Sequence, residues 1–274
     1  MLITWIRKLF QNPTQTTRHR RRPAKRTQKW LFNSTIETLE VRAVPTFLTP
    51  MSFAAGANPT GIAVADYNGD GKSDMGVVNN GVAGTVGILL SNGDGTFQPK
   101  VDYSAGPSAL DAKAGDFNAD GKMDLAVVGA TGSINVLLGN GDGTFAAPIS
   151  YATGSGSHSI TLGDFNNDGK LDVATMNANS ASVLLGNGDG TFQAHQDAVF
   201  IGNTNMIAGD FNHDGNLDLA TSNTLSVGTI TLLKGHGDGT FDPEININAN
   251  SAPVYLAAGD FNPDGYEDFA VANS

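Results

Sequence analysis

The residues with the clearest chemical potential are acidic and recur in a fixed nine-residue pattern. Asp66-Tyr-Asn-Gly-Asp-Gly-Lys-Ser-Asp74 returns with small changes as Asp116–Asp124, Asp164–Asp172, Asp210–Asp218 and Asp260–Asp268. The starts lie 50, 48, 46 and 50 residues apart. Counted from the first Asp, carboxylates occupy positions 1, 5 and 9, a carboxamide position 3, and glycine position 6. Alternate residues thus turn oxygen toward one point, and Gly at 6 permits the sharp bend through positive φ. A flexible shell of oxygen donors with several carboxylates suits Ca²⁺, whereas Mg²⁺ demands a tighter octahedron and keeps more water. Cysteine is absent and no ligand-spaced histidine pair occurs, which excludes zinc and copper chemistry.

The candidate ligands are Asp66, Asn68, Asp70 and Asp74 in the first loop and Asp116, Asn118, Asp120 and Asp124 in the second. The third offers Asp164, Asn166, Asp168 and Asp172, and the fourth Asp210, Asn212, Asp214 and Asp218. Asp260, Asn262, Asp264 and Asp268 complete the set. Position 7 (Lys72, Lys122, Lys170, Asn216, Tyr266) varies in side chain, as expected of a residue that offers only its carbonyl. Up to five Ca²⁺ ions are therefore expected as cofactors. An EF-hand would need a chelating Glu at position 12 and flanking helices. Position 12 is Val77, Val127, Thr175, Thr221 and Val271, and the flanks read as strands. The competing reading is that these are polar turns, since Asp, Asn and Gly dominate turns anyway. Five copies in one register weigh against it, because three carboxylates within nine residues repel one another unless a cation lies between them.

The loops need strands to hold them. Ser133–Leu138 and Leu171–Met176 are short apolar runs, Phe145–Thr153 alternates weakly, and Ser159–Phe165 is another short strand that leads into the third acidic loop. A second motif, Asn92-Gly-Asp-Gly-Thr-Phe97, recurs at 140–145, 187–192 and, with His236 first, at 236–241. Its Asp residues (Asp94, Asp142, Asp189, Asp238) are expected to cap a tight turn, and its Phe residues to bury rings between adjacent units. About four short strands per unit with turns between them is the pattern of a propeller blade. The expected fold is all-β: a β-propeller-type array of four-stranded blades, four complete units and a partial fifth. The units fall near 45–97, 98–145, 146–192, 193–241 and 242–274.

The two linked motifs resemble the FG-GAP/VCBS-type repeat, the blade of integrin α-like β-propellers, over roughly 46–274. The resemblance implies calcium held in a hairpin loop, a secreted or cell-surface setting and a role in adhesion or ligand recognition. The fifth unit reaches Ser274 before its second motif, so completion of a ring by a missing C-terminal part or another chain is expected.

Charge divides the chain. Residues 1–44 carry ten Lys or Arg against two acids, while the remainder holds six Lys, no Arg and 25 acids. A basic arm thus precedes an acidic body that repels nucleic acid. The arm reads as a disordered or targeting segment, and Leu39-Glu-Val-Arg42 is similar to a segment of bacterial surface and secreted proteins. Met1–Phe10 is interrupted by Arg7 and Lys8 and is not a standard signal peptide. No run of apolar residues is long enough for a membrane-spanning helix. The body holds four His (His158, His195, His213, His236) and no nucleophile elbow, phosphate loop or zinc-protease motif. Its Asp residues belong to repeats, whereas a catalytic pair breaks one. The expectation is a non-enzymatic calcium-binding adhesion or scaffold module with an extracellular protein or glycan as partner. A carbohydrate-binding propeller, or a non-catalytic domain of a larger secreted hydrolase or lyase, is the alternative.

Overall fold

The computed structural model describes residues 3–4, 51–200, 204–224, 228–249 and 252–274. The Leu39–Arg42 segment and nearly all of the basic arm lie outside the described residues.

The described residues contain β-strands, turns and no helix. After β1 (Ile3–Thr4), four four-stranded antiparallel sheets follow in chain order. Blade 1 comprises β2 (Pro59–Ala65), β3 (Asp74–Asn79), β4 (Thr85–Leu89) and β5 (Val101–Ser104). Blade 2 comprises β6 (Ala109–Gly115), β7 (Asp124–Gly129), β8 (Ser133–Leu137) and β9 (Ile149–Ala152). Blade 3 comprises β10 (Ser159–Gly163), β11 (Asp172–Met176), β12 (Ser180–Leu184) and β13 (Gln196–Val199). Blade 4 comprises β14 (Met206–Gly209), β15 (Asp218–Asn223), β16 (Thr229–Leu233) and β17 (Ile245–Asn248). Strands β18 (Pro253–Gly259) and β19 (Asp268–Asn273) form the partial fifth. There β1 pairs antiparallel with β19, with Ile3 opposite Ala272. In complete blades the third strand fills that place, so the start of the basic arm adds to the last sheet instead of standing wholly apart.

The sheets are offset from the sequence units. Each second motif makes a turn inside a sheet, closed by bridges such as Gly139 to Phe145. The strand after it then pairs back on the third, as Ser133 does with Ala152. The first three sheets therefore end at Ser104, Ala152 and Val199, not at 97, 145 and 192; the fourth ends at Asn248, not at 241.

The core lies between blades. One cluster joins Tyr67, Val78 and Ile88 of blade 1 to Ala112, Leu125, Val127 and Phe145 of the blade 2 segment. Three equivalent clusters join the later pairs. Sheets packed face to face in this way bury both faces of a central strand. Thus β7, β11 and β15 are buried at every residue: β7 carries the apolar run Leu125–Val128, while β15 buries Thr221, Ser222 and Asn223 as well. The fourth strands β5, β9, β13 and β17 instead share one pattern with a single half-buried side chain.

The acidic loop connects the first two strands of each blade. Its fourth residue is left-handed throughout: Gly69 (φ 72°), Ala119 (φ 56°), Asn167 (φ 58°), His213 (φ 63°) and Pro263 (φ 30°). Proline favours φ near −65°, so the fifth loop carries strain the others lack. Pro263→Asn is expected to stabilise the chain by about 1 kcal/mol, a rise of roughly 2–4 °C in Tm read by calorimetry. A fall in Tm would show that the loop tolerates the ring better than this strain implies.

Candidate functional site

Each acidic loop is held by its own amides. In the first, Asp66 Oδ1 accepts from Asp70 N at 3.1 Å and Asp66 Oδ2 from Gly71 N at 2.7 Å. Asn68 Oδ1 also accepts from Asp70 N, and Asp70 Oδ1 from Lys72 N at 3.0 Å. The same bonds recur at Asp116, Asn118 and Asp120. They recur again at Asp164, Asn166 and Asp168, at Asp210, Asn212 and Asp214, and at Asp260, Asn262 and Asp264. Side-chain turns of this kind are what Asp and Asn do locally, and they gather the oxygens of positions 1, 3 and 5 around the same few amides.

Position 9 behaves differently. Asp74, Asp124, Asp172 and Asp218 are fully buried. In Asp172, Oδ2 accepts from Phe165 N at 2.8 Å and Oδ1 from Gly186 N at 2.7 Å. Asp74, Asp124 and Asp218 pin the same two points of their own blades. The residue thus ties the loop start to the exit of the third strand. Burial pushes the carboxyl groups of Asp124, Asp172 and Asp218 up, and the charges at positions 5 and 1 push the same way. Asp268 is half-buried and, among the described residues, accepts from Phe261 N at 3.2 Å. Among the described residues, no group of three or more His, Cys, Asp or Glu converges as a metal cage.

Position 7 does more than the sequence suggested. The ammonium groups of Lys72, Lys122 and Lys170 pair with Asp70, Asp120 and Asp168 at 3.0, 3.3 and 3.4 Å. The Lys72 bonds hold the Asp70 carboxyl below the usual range. These lysines also lie against Gly93, Gly141 and Gly188 in the second motif of their blades. The lysine side chain is thus an internal counter-cation for the loop; a charge opposite to the repeated acids was the available signal.

The second motif links blades. Asp94, Asp142, Asp189 and Asp238 each accept from the backbone N–H and hydroxyl of the Thr two residues on. This is the expected capped turn. The following glycine then donates to the neighbouring loop: Gly143 N to Tyr67 O, Gly190 N to Phe117 O and Gly239 N to Phe165 O, each at 3.0 Å. Rings follow the same path, with Phe145 edge-on to Tyr67 and Phe192 to Phe117, both at 5.5 Å between centroids. Neighbouring loops also touch directly. Asn167 Nδ2 donates to Asn216 Oδ1 at 2.8 Å, and His213 Nε2 donates to Gly265 O at 2.6 Å while stacking on Tyr266. His213 therefore bridges two loops. A cleft of about 390 Å³ between loops two and three is faced by Asp116, Asp164 and Lys170.

Four overlapping matches to the FG-GAP-like repeat model cover 74–127, 116–175, 164–221 and 210–271. The chain belongs to the FG-GAP-like repeat family. No curated protein matches it. Solved structures with similar folds include a protein from Lactobacillus plantarum, at 16% identity and TM-score 0.49, covering 74% of this chain and 60% of that one. NanB sialidase from Streptococcus pneumoniae gives 11% identity and TM-score 0.48, covering 79% of this chain and 41% of that one. The Photorhabdus luminescens Tc holotoxin pore gives 16% identity and TM-score 0.42, covering 81% of this chain and 11% of that one. The chain thus spans less than two thirds of each of these structures.

One carboxylate stands at a variable position of the FG-GAP-like repeat. Asp111 stands on the inner strand β6, where the other blades place Gly61, Ser159, Asn205 and Tyr255. Its Oδ1 accepts from Ala112 N at 2.9 Å, and its carboxylate also takes the Ile160 amide of blade 3. Asn205 does the same for Leu256 N at 3.1 Å. Burial pushes the Asp111 carboxyl up, opposed by Lys113 and these amides. A raised folded pKa gives stability that is full below the unfolded value and lost as pH rises through the folded one. Asp111→Asn keeps the acceptor and removes that loss. Its Tm is expected to exceed that of the parent at neutral pH, and the gain to vanish below about pH 4. Equal Tm values across the pH range would refute this.

Proposed function

We propose that this FG-GAP-like domain is a non-enzymatic calcium-binding module that works outside the cell as an adhesion or scaffold element. The observation that carries the reading is the repetition of one oxygen-rich loop, in one backbone conformation, along successive blades. The donor set fits calcium: positions 1, 3, 5 and 9 offer side-chain oxygen, and position 7 a carbonyl. The amide bonds to the side-chain oxygens do not bar coordination, since each carboxylate oxygen carries two lone pairs. A bound cation would relieve the repulsion among Asp residues and stiffen the loop. Each of the first three loops also receives a hydrogen bond from the next blade, so the blade contacts would stiffen with it.

An extracellular setting accords with the family, and no helix among the described residues is long and apolar enough to cross a membrane. The partner in this reading is an extracellular protein or glycan met by the variable segments between blades. Titrating calcium into chelator-treated protein by calorimetry should give saturable binding with up to five sites. Absence of binding heat, together with no change in terbium luminescence, would overturn the metal reading. A glycan array read in parallel would, if positive across related sugars, replace the scaffold role by a lectin one.

A further inference from the structure

The first three acidic loops carry their own cation at position 7, and the fourth does not. The side chains of Lys72, Lys122 and Lys170 each fold back over their loop, laid across a glycine of the second motif. A Cβ at Gly93, Gly141 or Gly188 would come within 2.8, 2.8 or 3.0 Å of the lysine stem. The bare, left-handed glycine is thus the slot that turns the lysine, and its ammonium pairs with the Asp at position 5. The same charge reaches the second motif. Bonds from Thr96, Thr144 and Thr191 hold the carboxyl groups of Asp94, Asp142 and Asp189 down, and the three lysines add to this. In the fourth loop Asn216 replaces the lysine. Its Oδ1 accepts from Asn167 Nδ2 of the third loop, and these two amides fill the slot at Gly237. Among the described residues Asp214 makes no ion pair; the Asn216 amide holds its carboxyl down, with a lesser pull from Lys234.

We infer that the position-7 lysines set the order in which the loops take calcium, so that the fourth loop fills before the first three; this rests on the calcium reading of the loops. An ion entering loops one to three must share Asp70, Asp120 or Asp168 with an ammonium already in place. That ammonium cannot diffuse away, since a short flexible tether gives it an effective concentration on the order of millimolar. The dissociation constants of extracellular calcium modules, about 10⁻⁴–10⁻³ M, fall in the same range, so the tethered charge competes with the ion. It cancels part of the negative field and repels a divalent cation. Through water and salt, one such charge is expected to weaken binding by about 3–10-fold. The consequence reaches the blade joins. The loops with lysine are ones whose position-2 carbonyl, of Tyr67, Phe117 or Phe165, accepts from the next blade. These joins would stiffen late in a calcium titration, after the fourth loop is full.

Calcium titration of the full chain followed by amide NMR tests this loop by loop. The position-6 amides of Gly71, Gly121, Gly169 and Gly215 each donate to the first Asp of their own loop and so report on that loop. In the wild type, Gly215 should reach its midpoint at a calcium concentration about 3–10-fold below the other three. Lys122→Gln should move the Gly121 midpoint down by about the same factor, and those of Gly71 and Gly169 much less. Lys122→Arg, which keeps the charge, should leave all four in place, and Asn216→Lys should raise the Gly215 midpoint. Lys122 is exposed, and the amide spectrum of each variant checks that it folds. Equal midpoints in the wild type, or a Gly121 midpoint unmoved by Lys122→Gln, would overturn the proposal while calcium binding stands. So would an equal shift from Lys122→Arg, since charge would then not be the cause. Glycine amides that ignore calcium altogether would overturn the calcium reading itself, and this inference with it.

Discussion

Millimolar calcium is expected to raise the Tm of this chain by up to about 5 °C for each loop it occupies, and chelator to reverse the gain. The magnitude follows from mass action. A site with a dissociation constant of ~10⁻⁴ M, in the range of extracellular modules, gains about 1.4 kcal/mol at ~1 mM free calcium. A domain of this size shifts by roughly 2–4 °C per kcal/mol. Several occupied loops would therefore move Tm by an amount on the order of 10–20 °C. Magnesium at the same concentration should do less, because it holds its water and resists a shell of this size. The lysines at position 7 set the baseline: three loops already carry a cation against position 5, but an exposed ion pair contributes little. A melt unchanged by either calcium or chelator would leave the loops as structural turns and end the metal reading.

How much of this was legible depends on what each residue must satisfy. The strand leaving the second acidic loop was readable, because burial on both faces leaves the unbroken run Leu125-Ala-Val-Val128. The capped turns were readable because Asp and Gly there answer to local geometry alone. The fourth strands left only a weak trace, such as the alternation over Phe145–Thr153 that holds β9. Val101–Ser104 and Ile245–Asn248 expose all but one side chain, so their apolar signal is too thin to mark them as part of the sheet before. The unit boundaries were consequently drawn one strand early. The loop itself was read as one set of ligands, yet it divides in two. Positions 1, 3 and 5 surround the loop amides, while position 9 faces the backbone beneath. Spacing alone cannot separate these roles, since a carboxylate at position 9 satisfies either. Asp111 was invisible for the opposite reason: it occurs in one blade, and repetition was the signal in use. Close packing supplied a further constraint without a motif. Leu171 and Leu217, at loop position 8, lie against Gly115 and Gly163 of the preceding blade, where a Cβ would collide with them.

The division within the loop leads to the sharpest mutational contrast. Asp172→Ala is expected to cost about 2–6 kcal/mol, with or without calcium. The side chain is fully buried and its two oxygens satisfy Phe165 N and Gly186 N. Truncation leaves two amides without acceptors in the interior, each worth roughly 1–3 kcal/mol. The loss reaches beyond one loop, because Phe165 O accepts from Gly239 of the next blade and its ring packs on Phe241. Asp168→Asn should behave in the opposite way. Asp168 is exposed, and Asn retains an oxygen for the Lys170 amide, so stability in chelator should hardly change. What it should lose is the share of calcium stabilisation that belongs to the third loop. Urea unfolding of both variants in chelator and in calcium separates the two roles. If Asp172→Ala were near-neutral in chelator and harmful only with calcium, position 9 would be a ligand first, and its backbone bonds incidental to the fold.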